Sequence, residues 1–530
     1  MLLNLRKINL EYPIIFVLAV FSGLMISFYS LSVLFLLALI LFILISFKYF
    51  NQVLFLLIFY IPFQVALNIS AGIDLASGRV LILYLFAVWI IRSLAEKRFV
   101  IRFNLQTLLI CLFLFIAVFS VSQAWDIERA FRKILVFLSI FPLYFIITSL
   151  KIKKKYLYRT LDALFMSGFV LSLIGVTQFL LQFFIGIDPI IRFWSKFVSP
   201  VFYGNTFGAE VVSNPSWLVN IGGATVLRAF SLFPDPHMFS FYLGLLIPII
   251  LGIVLFEKKD KDNHPELVSE SVVGKGLASL QFPKQIIRWI GMFCGNKQRI
   301  LKQVQNDKCT FFNSKLLYLI LFTMLLAELL TFSRGGYIGM IAGIGVTIIL
   351  LWRYISFNKK VILGLVAGTS ILFIMFSNQS IVNRFLSSFD FNEGSNTERI
   401  KNWNQGREVF SDNFFTGVGI GNYSIYLYPT VEYRTPIYAH NLYLDIGAEM
   451  GIFALLVWLA LIGITIWQLF KTGKKSEDVF LRALSFGLVG SLVWFSAHSF
   501  FDTPIYSPTI LATLMVVVSL SVIMIKMNQN

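Results

Sequence analysis

Residues 439–470 read AHNLYLDIGAEMGIFALLVWLALIGITIWQLF. A histidine and an amide, His440 and Asn441, close a long polar loop, and from Ile452 to Phe470 no charge interrupts the apolar run. At 1.5 Å of rise per helical residue, that run alone covers about 30 Å, the thickness of bilayer hydrocarbon. The stretch is therefore a membrane helix with a titratable group at its mouth. In a chain with only four histidines, a titratable group at a membrane–water boundary is the first place to seek chemistry.

The pattern repeats on both sides of this stretch. Apolar runs of spanning length occur at roughly 12–29, 31–47, 52–67, 79–94, 105–122, 134–150, 160–184, 238–256, 316–332, 335–352, 361–377, 441–470, 479–499 and 507–525. That predicts an all-α polytopic membrane protein of fourteen spans, or twelve, since the first two runs lie close together. Composition agrees: the 530 residues are 58% hydrophobic and 13% charged, where soluble chains carry about 25% charged residues. The runs are too numerous for a signal peptide to explain, and no cleavable signal is read. Cys111 falls inside an apolar run and Cys294 and Cys309 in a Lys-rich segment, with no C-x-x-C or Cys/His cluster. No zinc site and no structural disulfide are expected.

A formal charge of +17 does not require nucleic acid, because Lys and Arg accumulate in cytoplasmic loops. With alternating spans, Arg6/Lys7, Lys48, Lys97/Arg98/Arg102, Lys151–Lys155, the 257–315 segment, Arg353/Lys359/Lys360 and Lys471/Lys474/Lys475 share one side, read as the cytoplasm. Loops 185–237 and 378–440 fall on the other, outer side. The 123–133 loop is out of place there with Arg129, Arg132 and Lys133, and is read as a short interfacial helix. Loop 378–440 holds a helix-like stretch, Thr397 to Phe410, then Gly417-Val418-Gly419-Ile420-Gly421, and long loops in compact proteins are commonly functional. Segment 257–315 lacks a G-x-x-x-x-G-K-[ST] signature and reads as a cytoplasmic insertion without a nucleotide site.

Three groups converge on the outer side: Arg228 in Arg-Ala-Phe-Ser-Leu-Phe-Pro-Asp-Pro-His (228–237), Arg334 in Ser-Arg-Gly-Gly (333–336), and His440. A guanidinium fork suits phosphate oxygens, and a neutral imidazole can accept a hydroxyl proton near pH 7. Each has an ordinary alternative. Arg334 fits a headgroup anchor, and His440 fits a satisfied loop-end histidine. Agreement in side and depth favours a shared site. His237 and His498 compete for the base role or orient the loops. Arg399 and Trp403, at i, i+4 spacing, fit a solvated face or contacts to sugar or phosphate.

These residues resemble the O-antigen ligase/O-antigen polymerase superfamily of bacterial membrane glycosyltransferases. The family pattern is His, then Asn/Ser/Gln, nine residues, Gly, two residues and Gly/Thr/Tyr. Here His440-Asn441, nine residues and Gly451 match, and Ala454 departs at the last position. Arg334, Arg228 and the run Arg399…Trp403…Gly421 look like the family's other signatures. The resemblance covers roughly 160–525 apart from the insertion. It divides the chain into N-terminal membrane helices (1–159), a ligase-like core (160–256 and 316–530, with outer loops 185–237 and 378–440) and the insertion (257–315). It implies metal-independent and cofactor-free transfer of glycan from an undecaprenyl-diphosphate carrier in the bacterial inner membrane, with the long, partly helical loop periplasmic. Arg228 and Arg334 would hold the diphosphate and His440 would be the general base. Arg399, Trp403, Asn441 and His237 would contact substrate. The acceptor would be lipid A–core (ligase), another lipid-linked glycan (polymerase), or a protein. A lipid-linked-glycan transporter is the reading from a different class. It calls for polar groups near mid-span, of which Glu328 is the main one.

Overall fold

The computed structural model describes residues 43–70, 73–97, 102–213, 215–221, 223–256, 314–361, 364, 394–431 and 437–529. The span expected at 12–29, all but residues 361 and 364 of the one expected at 361–377, most of 31–47, nearly all of the 257–315 insertion with Cys294 and Cys309, and the start of the second long loop lie outside the described residues.

The chain is an all-α polytopic membrane protein. Its principal helices are α1 Phe50–Tyr60, α2 Ser77–Ala95, α3 Leu105–Phe119, α4 Ile127–Ile140, α5 Pro142–Thr148, α6 Lys154–Ile185, α7 Pro236–Phe256, α8 Ser314–Leu330, α9 Arg334–Leu351, α10 Gly394–Asp412, α11 Leu442–Lys475, α12 Val479–His498 and α13 Pro508–Met527. Among the described residues, nine helical stretches are long and apolar enough to cross a membrane, with α4 and α5 counting as one. The strands described form two antiparallel hairpins, β1 Ala66–Ser70 with β2 Ile73–Ala76 and β3 Leu218–Ile221 with β4 Ala224–Leu227. The run expected to span 52–67 is shorter than that. A 3-10 turn through Pro62 closes α1, and the first hairpin follows.

Polar caps decide where several spans begin. Asn104, Asp126, Ser333, Asn441 and Asp478 each accept a first-turn backbone N–H, satisfying donors that have no helical partner. Asp126 moves one boundary. It accepts from the backbone N of Arg129 at 3.0 Å and from its Nε at 2.9 Å, so the helix expected from 134 starts at Ile127. Arg129, Arg132 and Lys133 therefore sit on the first turns of a membrane helix, not on a separate interfacial one.

The bundle is built around α7, whose spanning window is 94% buried, while α2, α3 and α9 are enclosed over less than half of theirs. Leu108 and Phe115 of α3 point outward, the side lipid tails would cover. With no hydrophobic drive between helices in lipid, close packing comes from small residues. Trp494 of α12 lies against Gly244 of α7 and against Gly339 and Gly343 of α9. A Cβ at Gly339 would sit 2.5 Å from the Trp494 ring, and one at Gly343 2.7 Å from the Gly490 carbonyl oxygen. The indole thus sets how far α9, with Arg334 at its end, slides along α12.

Candidate functional site

The segment entering α7 is stitched to its surroundings by side chains acting as backbone partners. Gln182 of α6 accepts from the Leu227 N–H at 2.8 Å and donates to its carbonyl at 3.0 Å. Gln178 accepts from Phe230 and Ser231 at 3.1 and 3.0 Å. Arg228, at the end of the second hairpin, is buried. Its Nε donates to the Thr331 carbonyl (2.7 Å), Nη1 to that of Ser216 (2.8 Å) and Nη2 to that of Phe332 (3.2 Å). The guanidinium therefore holds the α8–α9 turn to the first long loop.

That turn carries Arg334, the first residue of α9, which is also buried. Ser333, just before it, is fully buried and caps α9. Its hydroxyl lies 2.9 Å from His237 Nδ1 and 3.5 Å from His498 Nε2. His498 is flat on Phe241, with ring centroids 3.6 Å apart and planes at 4°. Gly335 is required here, because a Cβ would lie 2.8 Å from His498 Cδ2 and 2.9 Å from Phe501 Cβ. Gly336 leaves room for the Ser240–Glu328 hydrogen bond of 2.7 Å, which a Cβ would strike. Glu328, the main mid-span polar group noted in the sequence, is thus engaged with Ser240.

His440 arrives from the second long loop. Asn441 Oδ1 accepts from the N–H groups of Tyr443 and Leu444 at 3.0 and 3.2 Å, so this amide is the cap of α11. Asp445, one turn in, accepts from the Ala439 N–H at 2.9 Å and from the Thr503 hydroxyl, closing the loop end onto the helix. Trp403 of α10 donates from Nε1 to the His440 carbonyl at 3.4 Å. Its indole braces the histidine's backbone. The imidazole Nδ1 stands 3.5 Å from Asp502 Oδ1, which leaves Nε2 as the nitrogen available to a substrate. Burial alone would depress the His440 pKa, but the hydrogen bond to Asp502 and the charges of Asp502 and Asp445 outweigh it and hold it above the ordinary histidine value. Asp502 stays a carboxylate well below the usual range: burial opposes ionisation, and His440, His237 and Arg399 overcome it. Burial lowers the Arg399 guanidinium, opposed by Asp502 and reinforced by Arg334, so Arg399 shares one electrostatic neighbourhood with both. Asp235 accepts from the Met238 N–H at 2.9 Å. Burial and the nearby Asp502 push it up to about 6, against Arg228.

The nine-residue spacing between Asn441 and Gly451 has a structural meaning. Residues 442–450 are a half-helix of about 13 Å, and Gly451 (φ 77°, ψ 179°) breaks α11 there. Few residues but glycine adopt that conformation. The second loop fills the break: Val418 N donates to the Ala448 carbonyl and Ile452 N to the Phe414 carbonyl, both at 2.9 Å. Gly417, Gly419 and Gly421 all have positive φ, and their bare Cα atoms lie on Glu449, on Ala124 and between Arg129 and Lys133. Arg129 donates to Ser424 and to the Val431 carbonyl, and Lys133 to Tyr438 at 3.2 Å. Two of the three basic residues that looked out of place in the sequence, Arg129 and Lys133, thus hold the loop that carries His440.

Among the described residues, four that are not glycine have a left-handed φ, and three of them are here: Ser231 (54°), Phe332 (47°) and His440 (51°). Each costs roughly 1–3 kcal/mol, and such strain clusters at functional sites. Beside His440, a cleft of about 270 Å³ opens between α10 and the loop, with Asn402, Gln405 and Tyr428 on its walls.

The expected residues Arg334, His237, His440 and Arg399 thus meet at one end of the bundle. Arg228, Asn441 and Trp403 are there too, with polar atoms engaged by the protein. Sequence reasoning missed Asp502 and Ser333 as the links between histidines. Their signal was weak: a lone carboxylate four residues after His498, and a serine that reads as an ordinary cap.

Comparison with known proteins matches the same region. Residues 319–459 match the O-antigen ligase family model, a stretch running from α8 through Arg334, Arg399, Trp403, the glycine run and His440 to just beyond the break at Gly451. Arg228, His237, His498 and Asp502 lie outside it and reach the site through the fold. The teichuronic acid biosynthesis protein TuaE of Bacillus subtilis (strain 168) is 27% identical over 180 residues, 32% of this chain and 36% of that protein. The chain therefore aligns with about a third of that relative's length.

Proposed function

We propose that this chain, with its O-antigen ligase family match at 319–459, is a membrane enzyme of surface polysaccharide biosynthesis. It transfers glycan from an undecaprenyl-diphosphate carrier to an acceptor hydroxyl at the periplasmic face of the inner membrane. The observation that carries this reading is the pairing of His440 with Asp502 at 3.5 Å, at the end of the bundle where the Arg334 and Arg399 cations meet. Asp502 orients the imidazole and favours its protonated form, the role a carboxylate plays behind a histidine base. Arg334 and Arg399 bind the diphosphate oxygens by charge-assisted hydrogen bonds and stabilise the charge that grows on the leaving group. Arg228 contributes through the turn it braces and through its charge.

In the reaction the acceptor oxygen attacks the anomeric carbon as its proton passes to His440 Nε2. The bond from that carbon to the diphosphate oxygen breaks, and its electron pair leaves with undecaprenyl diphosphate. Attack opposite the leaving group inverts the anomeric centre in one displacement. The His440 proton is then returned to water.

The test is glycan transfer by the full chain in proteoliposomes supplied with the host's lipid-linked glycan. A positioned general base contributes about 10²–10⁴-fold, so His440→Ala and His440→Gln lower kcat by at least 10²-fold. Wild-type kcat in both variants overturns the base assignment. Product still on the undecaprenyl carrier identifies polymerisation, and product on lipid A–core identifies ligation.

A further inference from the structure

The transfer reading leaves open where the acceptor sits and what kind of group it is. The cleft beside His440 bears on both. It holds about 270 Å³, room for a sugar ring. Its walls are two amides, Asn402 and Gln405, three phenols, Tyr423, Tyr428 and Tyr438, one aliphatic side chain, Ile437, and His440 itself.

This chemistry is selective. Among the described residues, neither a carboxylate nor a guanidinium or ammonium lines the cleft, and Arg334 and Arg399 are not part of it. A diphosphate would be poorly held there, because phosphate recognition relies on cationic donors. An apolar ligand would leave the amides without partners. Amides both donate and accept, as sugar hydroxyls do, and phenols offer an apolar face with a polar tip. Asn402 and Gln405 are three residues apart on α10 and so share a helix face. That face is set against the histidine, because Asn402, Gln405 and His440 line the same cleft. Lys133 donates to the Tyr438 oxygen at 3.2 Å and lies over its ring at 5.1 Å. The phenol's own proton is left to donate elsewhere.

Resting on the transfer reading, we infer that this cleft is the acceptor subsite. It takes one uncharged, hydroxyl-bearing sugar ring and presents its hydroxyl to His440 from the α10 side, while the diphosphate of the donor binds at the arginines.

The test uses the full chain in nanodiscs and saturation-transfer NMR. The probes are methyl β-D-glucopyranoside, methyl β-D-galactopyranoside and the charged methyl β-D-glucuronide. At least one neutral glycoside binds in the millimolar range, and the glucuronide binds at least fivefold more weakly. Asn402→Ala/Gln405→Ala weakens the neutral ligand at least fivefold. Tyr428→Phe, which removes one oxygen from a half-exposed ring, weakens it two- to fivefold and guards against a folding defect in the double variant. Binding unchanged in both variants, a preference for the glucuronide, or no binding of any of the three overturns the assignment. The outcome is read apart from transfer. A chain that binds neutral glycosides at this cleft but transfers nothing sinks the proposed function and leaves the cleft assigned.

Discussion

Replacing Gly451 by alanine tests whether the loop and the broken helix hold each other. At φ 77° and ψ 179° an alanine is in a region that costs about 1–3 kcal/mol. Its Cβ would also lie 2.5 Å from the Phe415 carbonyl carbon and 2.8 Å from Thr416 N, both backbone atoms that cannot swing aside. Relief requires the 414–418 segment to leave the break, which removes the hydrogen bonds from Val418 N to Ala448 O and from Ile452 N to Phe414 O. These bonds are lost on opening with or without the substitution, so the strain sets the change: about 1–3 kcal/mol, at 1.4 kcal/mol per factor of ten, makes local opening about 5-fold to about 150-fold more frequent. Hydrogen exchange followed by mass spectrometry on peptides covering 414–422 and 448–456 reads this directly. Gly463→Ala on the same helix is the control, since nothing lies within 4 Å of a Cβ there, and alanine in a helix interior is favoured by up to about 1 kcal/mol. Unchanged protection at 414–422 in Gly451→Ala, or equal loss in Gly463→Ala, would refute the reasoning.

Asp502→Asn removes the charge that favours the His440 imidazolium, so the histidine pKa falls. On the proposed function the base is active when neutral, so the acid limb of the kcat/KM–pH profile moves to lower pH, while kcat drops about 10–100-fold as orientation is lost; a limb that stays in place would dissociate the two residues. Arg228→Lys keeps the charge but cannot reach all three carbonyls with one ammonium. Each carbonyl left buried and unpaired costs about 1–3 kcal/mol, which should appear as faster thermal inactivation in detergent, and wild-type inactivation kinetics would show the fork to be dispensable.

Hydrophobic runs made the membrane helices legible, because a span must be apolar for its whole length whatever its neighbours are. The boundary errors have local causes: Asp126 capping the helix that starts at Ile127, and Pro62 ending the first described one. The site was legible where charge stood against hydrocarbon, at Arg334, Arg228 and His440. Contacts between distant segments were not legible, because they depend on how helices pack. Nothing near Asp502 in the chain announces His440. Nothing in the 123–133 loop announces that Arg129 and Lys133 hold a loop about 300 residues later, as their bonds to Ser424 and Tyr438 do. The purpose of Asn441 also needed coordinates, since a conspicuous amide beside the histidine is spent on capping α11.

The pairing of His440 with Asp502 also has a consequence in time. His440 and Asp502 are 62 residues apart, which at about 5–20 residues per second of synthesis is about 3–12 s. Through that interval the growing chain has Arg334, Arg399 and the imidazole, but no carboxylate behind the imidazole. On the proposed function, competence for transfer then comes as one of the last steps of insertion, after α12 has crossed, and activity reports on a finished bundle.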